Sequence, residues 1–341
     1  MQKNSIFYEN SLVFIIVKQG AGNRVLEYLV ELGIRGATVF QALGTPPNHI
    51  LKMLELVDVR QEVIMIALPA CQEKELAAKL TSKFHFDHPG KGIIFILALS
   101  AVYGCRRFMQ EFPQAAEPEI ISSTLQGVMT IVDKGQADKV LDYAEEQGFL
   151  RGIVIGGHSS ADKSNKFLDL LIESEKEIIL IFAKQAQAHR LALLLTEYLD
   201  LKKANSGILA ILNVQHSVGI LQAPEISREE IEPAKVENKP GYSAILAIVE
   251  KNRDEAVIRS AELAGSTGGT IIHARGSCLC ERKNIFFRAV EPEREVVLII
   301  AKDEKVRDIC SRINEDLQLT EPGKGILLVF PLACAVGLVK E

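Results

Sequence analysis

Short β-branched runs that end at a polar residue recur at 12–17, 128–132 and 245–249, and runs of this kind read as strands. Each is followed by a stretch with apolar residues at helical spacing: Val25, Leu26 and Leu29, then Val140, Leu141 and Ala144, then Val257, Ile258 and Ala261. Such a stripe packs one helix face on a sheet. Gly33, Gly148 and Gly265 stand where these helices should stop, because glycine accepts positive φ beyond a C-terminus. Asn252 and Glu255 have the spacing of a capping box at the start of the third such helix. The pattern continues with second strands at 37–43, 153–155 and 270–274 and third strands at 63–68, 178–182 and 296–300. Second helices are predicted at 73–84, 186–199 and 304–317, and a last strand begins just after Gly92, Gly207 and Gly325.

The pattern is therefore one unit said three times, at 11–104, 126–219 and 242–337. Val17, Val132 and Val249 are 115 and 117 residues apart, and Gly92, Gly207 and Gly325 are 115 and 118 apart. Units that stack into solenoids usually run about 20–50 residues, so a repeat of this length is a whole domain. The order βαββαβ is that of a ferredoxin-like unit, a four-stranded antiparallel sheet with both helices on one face. The expected class is α+β. The other face of each sheet is apolar and bare, which predicts association. Three such faces on one chain cover each other as an intramolecular pseudo-trimer, so the chain is expected to act as a monomer. The linkers 105–125 and 220–241 carry Pro113, Pro118, Pro224, Pro233 and Pro240, and a segment of that length reaches about 60 Å when extended.

Composition narrows the function. A net charge of −5 without a Lys/Arg block argues against nucleic acid as a partner. The longest apolar runs, 93–102 and 326–339, are too short or too interrupted for a membrane span, which takes roughly 20 apolar residues. The first ten residues lack the features of an export signal. Six cysteines spread over 341 residues are not a disulfide scaffold, so a cytoplasmic location is expected.

Two motifs carry candidate chemistry. In Gly90-Lys91-Gly92 and Gly323-Lys324-Gly325, glycines on both sides let backbone N–H groups approach an anion while the ammonium supplies a point charge. The plainer reading is a surface turn with a solvated lysine. The second copy has Asn205-Ser206-Gly207 at this place, with a hydroxyl instead of the cation. If sites form between copies, no more than two of three clefts are competent.

These residues resemble the nitrogen regulatory protein P-II family, whose members are homotrimers of a βαββαβ unit. The resemblance rests on Gly90-Lys91-Gly92-Ile93 and Gly323-Lys324-Gly325-Ile326, each leading into an apolar strand that ends in Val102-Tyr103-Gly104 or Val336-Gly337. It is supported by Gly36-Ala37-Thr38-Val39, Gly269-Thr270-Ile271-Ile272 and Arg275-Gly276 around strand two. A charged lead-in to strand three recurs as Val59-Arg60-Gln61-Glu62-Val63, Glu173-Ser174-Glu175-Lys176-Glu177-Ile178 and Glu291-Pro292-Glu293-Arg294-Glu295-Val296. The resemblance implies that ATP or ADP is clasped between the Gly-Lys loop of one unit and the base of the loop after strand two on its neighbour. The implied nucleotide-binding residues are Gly90, Lys91, Gly92, Gly323, Lys324, Gly325, Thr38, Gly44, Thr270 and Gly276. It also implies a signalling protein, not an enzyme, that regulates a target transporter or enzyme, with a place in nitrogen metabolism.

The sequence departs from the family in several places. The loops at 45–58, 158–174 and 277–292 are short and hold no tyrosine, so there is no acceptor for uridylylation. Ser159 falls at the position of Gly44 and Gly276. The glutamine that helps the family hold 2-oxoglutarate has no clear counterpart, and its paired arginines are echoed only by Arg106 and Arg107. Fold and adenine-nucleotide binding therefore transfer more readily than nitrogen sensing. An alternative is a metal-binding or redox-sensing protein that uses Cys278 and Cys280 with His273 upstream, since thiolates and imidazole suit soft or borderline ions. No metal is assigned, because two thiols one residue apart do not complete a tetrahedral zinc site. Cys310 and Cys334 fall on apolar positions and read as core. His85 and His88 flank Asp87 just before the Gly-Lys loop and either touch a nucleotide or cap the helix, capping being the favoured reading, and Gly20-Ala21-Gly22 reads as a turn rather than a dinucleotide motif. No nucleophile, base and orienting residue recur at matched positions.

Overall fold

The computed structural model describes residues 10–34, 36–44, 59–88, 90–103, 125–150, 152–159, 166–167, 170–171, 174–203, 206–218, 220, 241–276, 293–321, 323–336 and 338. Three successive runs, termed modules below, share one order of elements. The first holds β1 (Asn10–Lys18), α1 (Gly22–Glu31), β2 (Thr38–Gly44), β3 (Val59–Pro69), α2 (Ala70–Phe84), β4 (Ile93–Leu99) and β5 (Ala101–Tyr103). The second holds β6 (Leu125–Asp133), α3 (Ala137–Glu146), β7 (Ile153–Ser159), the short hairpin β8 (Lys166–Phe167) and β9 (Leu170–Leu171), β10 (Ser174–Lys184), α4 (Gln185–Tyr198) and β11 (Ile208–Val218). The third holds β12 (Tyr242–Glu250), α5 (Asp254–Leu263), β13 (Thr270–Gly276), β14 (Glu293–Lys302), α6 (Asp303–Asp316) and β15 (Gly325–Val336).

The predicted helix faces are the buried ones. Val25, Leu26 and Leu29 of α1, Val140, Leu141 and Ala144 of α3, and Val257, Ile258 and Ala261 of α5 are all buried. Gly33, Gly148 and Gly265 follow these helices with φ of 79°, 86° and 90°. The third strands are longer than the apolar pattern alone indicates, because their charged lead-in residues pair as well: Glu62 lies opposite Val17 and Gln41, and Glu177 opposite Val132. The last strand of the first module is broken at Ser100, whose N–H and hydroxyl both donate to the Val329 carbonyl at 2.7 and 3.2 Å. His158 and Ser159, expected in a loop, extend β7. The remaining residues of 45–58 and 277–292, with Arg106, Arg107, Cys278 and Cys280, lie outside the described residues.

Within each module every pairing is antiparallel, and the first strand lies between the third and the last while the second strand takes the outer edge. The modules then join through their edges. At one edge the end of β2 meets the start of β7, the end of β7 meets the start of β13, and the end of β13 meets the start of β2: Gly44 opposite Ile153, Ser159 opposite Thr270, Gly276 opposite Thr38. At the other edge β11 pairs with β15 through Leu209–Leu212 and with β4 through Val214–Val218, and β15 pairs with β5. Register shifts at Ile211/Leu212 and Val214/His216 accompany the change of partner, the usual work of a bulge. The described strands, apart from the β8–β9 hairpin, thus form one 13-stranded sheet.

Alternation in the strands splits the apolar residues between four cores. Three lie under the helix pairs of single modules. The fourth takes the other sheet faces of all three modules, with Phe40, Met65 and Phe95 from the first, Met129, Ile178 and Leu180 from the second, and Leu246, Leu298 and Phe330 from the third. It lines an apolar cavity of ≈ 70 Å³. Phe95 stacks on Phe14 at 4.6 Å and meets Phe182 of the second module at 5.0 Å between ring centroids. Truncating a buried aromatic costs about 3–5 kcal/mol, so Phe95→Ala is expected to lower stability by that order. Chemical denaturation should show the loss as a shift of the whole transition, because the ring serves two modules at once.

Candidate functional site

Both Gly-Lys loops lie between the end of a second helix and the start of a last strand. Helix α2 ends at His85, which turns the chain in the left-handed region at φ 58°, and Asp200 and Gln318 do the same at 50° and 53°. The following residue is buried in each module: Phe86, Leu201 and Leu319. Gly92 has φ 153°, and a Cβ there would come within 2.5 Å of the Phe86 ring and 2.9 Å of the Ile16 carbonyl oxygen. Gly325 meets the Ile248 carbonyl at 2.7 Å in the same way. The second glycine of each motif is therefore needed for packing as well as for backbone freedom. Gly90 and Gly323 have φ of 73° and 85° with open space about them. Lys91 is exposed and Lys324 half-buried. Among the described residues neither ammonium has a hydrogen-bond or ion-pair partner. In the second module the Ser206 hydroxyl is already used, donating to the Lys203 carbonyl at 3.1 Å.

Strand pairing sorts the remaining candidates by boundary. Gly44 and the strand that follows Lys91 both face the second module, through Ile153 and Val218. Gly276 and the strand that follows Lys324 both face the first module, through Thr38 and Tyr103. Thr38 thus joins the boundary that carries Lys324. Thr270 instead faces Ser159, at the boundary whose loop holds Ser206 and no lysine. His273 is exposed, and its ring lies 5.0 Å from that of His158 at this third boundary.

Three glutamates that no sequence motif singled out as site residues tie the boundaries to the helices. The Glu62 carboxylate is buried, and its Oε2 accepts the N–H groups of Gly20 and Gly22 at 3.0 and 2.8 Å, satisfying the start of α1. Glu177 does the same for Gly135 and Ala137, and Glu295 accepts from Asp254 at 3.3 Å. These glutamates are 115 and 118 residues apart, in step with the repeat, and that spacing is their signal in the sequence. They replace the capping box expected at Asn252 and Glu255. Asn252 has φ 65°, α5 begins at Asp254, and no side chain caps from the N-cap residue Arg253. A carboxylate delivered from strand three satisfies the helix start that Asn252 was expected to serve. The turn reading of Gly20-Ala21-Gly22 holds, with Gly20 at φ 87°.

Glu62 also crosses a boundary. Its Oε1 accepts from Arg275 Nη2 of the third module at 3.0 Å, with side chains 8% and 25% exposed. Burial, followed by the neighbouring Asp254 side chain, raises the Glu295 carboxyl above its ordinary range. Burial alone pushes the Cys310 thiol up to about 12 and also raises Cys334, and both are core residues as expected.

Removing Glu62 leaves the Gly20 and Gly22 N–H groups at the start of α1 without their acceptor, and a buried unsatisfied donor costs about 1–3 kcal/mol. Glu62→Ala is therefore expected to destabilise the chain more than Glu177→Ala, whose pairs are more exposed; urea midpoints of the two variants measure the difference. Glu295 binds its proton more tightly folded than unfolded, so its contribution falls as pH rises from the ordinary glutamate range through the raised value. In Glu295→Gln that part of the stability–pH curve should flatten.

Comparison with known proteins gives one family. No curated protein matches the chain. Among solved structures, the chain is similar to aspartate kinase from Synechocystis at 12% identity and TM-score 0.20, covering 94% of this chain and 43% of the kinase chain. It is also similar to an anthrone oxidase-like protein at 8% identity and TM-score 0.18, covering 64% of this chain and 96% of that one. At those scores the likeness carries neither fold nor function. The family model described as nitrogen regulatory protein P-II matches residues 10–108, which takes in the whole first module with Thr38, Gly44 and Gly90-Lys91-Gly92. The likeness to the nitrogen regulatory protein P-II family is thus shown for residues 10–108.

Proposed function

We propose that the chain is a P-II-like signalling protein made of three tandem P-II-like domains, 11–104, 126–219 and 242–337, folded as an intramolecular pseudo-trimer. On this reading it binds ATP or ADP in clefts between domains and regulates a target protein, without catalysing a reaction; the Gly-Lys loop and the second-strand glycine of each site come from one domain, not from two neighbours as the family resemblance implied. One observation carries the proposal. At two boundaries a Gly-Lys-Gly loop, whose ammonium has no partner among the described residues, precedes a strand that faces the same neighbour as the glycine-terminated end of the second strand. The positive charge suits a phosphate chain, while the Lys91 and Lys324 N–H groups are turned to the His88 and Glu321 carbonyls at 3.3 and 3.4 Å. The boundary with Ser206 and Ser159 offers neither lysine nor that glycine, so two sites per chain are assigned and not three.

Regulation requires the nucleotide to bind one arrangement of the loops after the second strands more tightly than another, since equal affinity shifts no population. Gly44 and Gly276 stand at the roots of two of those loops. No described helix is long and apolar enough to cross a membrane, which fits a target met at the protein's surface.

Calorimetric titration with ATP and with ADP tests the reading. Two sites per chain are expected, with one lost in Lys91→Ala, the other in Lys324→Ala, and both in the double variant. Three equivalent sites, or no nucleotide binding by the intact chain, would contradict it.

A further inference from the structure

The turn after α2 carries chemistry that its two counterparts lack. His85, Asp87 and His88 each present a ligand atom, and these atoms lie within 4.8 Å of one another on an exposed surface. His88 Nδ1 is 3.0 Å from Asp87 Oδ1, and the two imidazoles meet edge to face at 5.8 Å between centroids.

The backbone holds this arrangement in place. His85 N–H donates to Thr81 at 2.8 Å, and His88 N–H donates to His85 at 2.9 Å, closing a tight turn. Between the three polar residues Phe86 is 1% exposed, stacked on Phe84 at 5.8 Å and set against Gly92. One buried aromatic anchors the turn, so its polar neighbours are directed outward together.

The fold does not demand these side chains. At the same turn the second module has Asp200, Lys202 and Lys203, with Lys203 paired to Asp200, and the third has Gln318, Thr320 and Glu321. All three turns have the left-handed residue and the buried anchor. Capping therefore accounts for the backbone at His85, as the sequence indicated, but not for Asp87 and His88.

We propose that His85, Asp87 and His88 form a site for a divalent transition metal, zinc or a similar borderline ion, with two imidazoles and one carboxylate as ligands. Imidazole suits zinc, copper and nickel, and three protein ligands leave a coordination position open to water or an anionic oxygen. The site adjoins the Gly90-Lys91-Gly92 loop, since Lys91 N–H donates to the His88 carbonyl at 3.3 Å. It uses neither Cys278 nor Cys280 and stands whether or not nucleotide binds.

The test is zinc titration of the full chain in a Cys278→Ser, Cys280→Ser background, read by calorimetry, with cobalt absorption as a second signal of ligand geometry. One zinc per chain is expected. His85→Gln with His88→Lys, residues that the other modules place at this turn, should weaken binding by more than about tenfold, the lower end of what losing even an outer-shell partner costs. His88→Lys alone, outside the helix cap, should show the same direction with an unchanged thermal transition. Absence of zinc uptake by the parent, or uptake undiminished in the variants, would overturn the proposal.

Discussion

A four-stranded sheet with both helices on one side has an apolar face with nothing of its own to cover it. That constraint organises this protein. Phe40, Met129, Leu246 and their neighbours are buried only because the bare faces of three modules close on each other. Apolar burial is worth roughly 25 cal/mol per Å² removed from water, so an isolated module would forfeit a large share of its stability. The edge strands follow the same logic, since their free N–H and C=O groups find partners in the next module rather than in another chain.

The boundaries created in this way differ from one another, and the difference is chemical. Gly44 and Gly90-Lys91-Gly92 serve one boundary, Gly276, Thr38 and Gly323-Lys324-Gly325 the second, and Ser159, Thr270, Ser206 and Gly207 the third. A symmetric homotrimer must carry the same residues at each interface. A chain that writes out each copy separately can keep two cationic loops, let the third become neutral, and place an Arg275–Glu62 bridge across one boundary.

Much of the fold was legible in the sequence because it depends on local chemistry. Helical spacing picked out the buried faces of α1, α3 and α5, and positive φ was assigned correctly to Gly33, Gly148 and Gly265. What failed was chemistry delivered from a distance. Asn252 and Glu255 match a local capping pattern, yet the helix start is satisfied by Glu295, about forty residues further along the chain. The charged lead-ins to the third strands gave no local sign that Glu62 would be buried. Thr38 and Thr270 open equivalent strands and look alike in sequence; only strand register shows that one faces a lysine-bearing boundary and the other does not.

The shared core is the claim on which the sites, the boundaries and their asymmetry all depend, and small-angle X-ray scattering of the intact chain tests it most directly. A single compact body is predicted, with a radius of gyration near the value of about 20 Å given by size scaling for 341 residues and a pair-distance distribution with one maximum. A markedly larger radius with separate maxima, as for three bodies joined by extended linkers, would contradict the account.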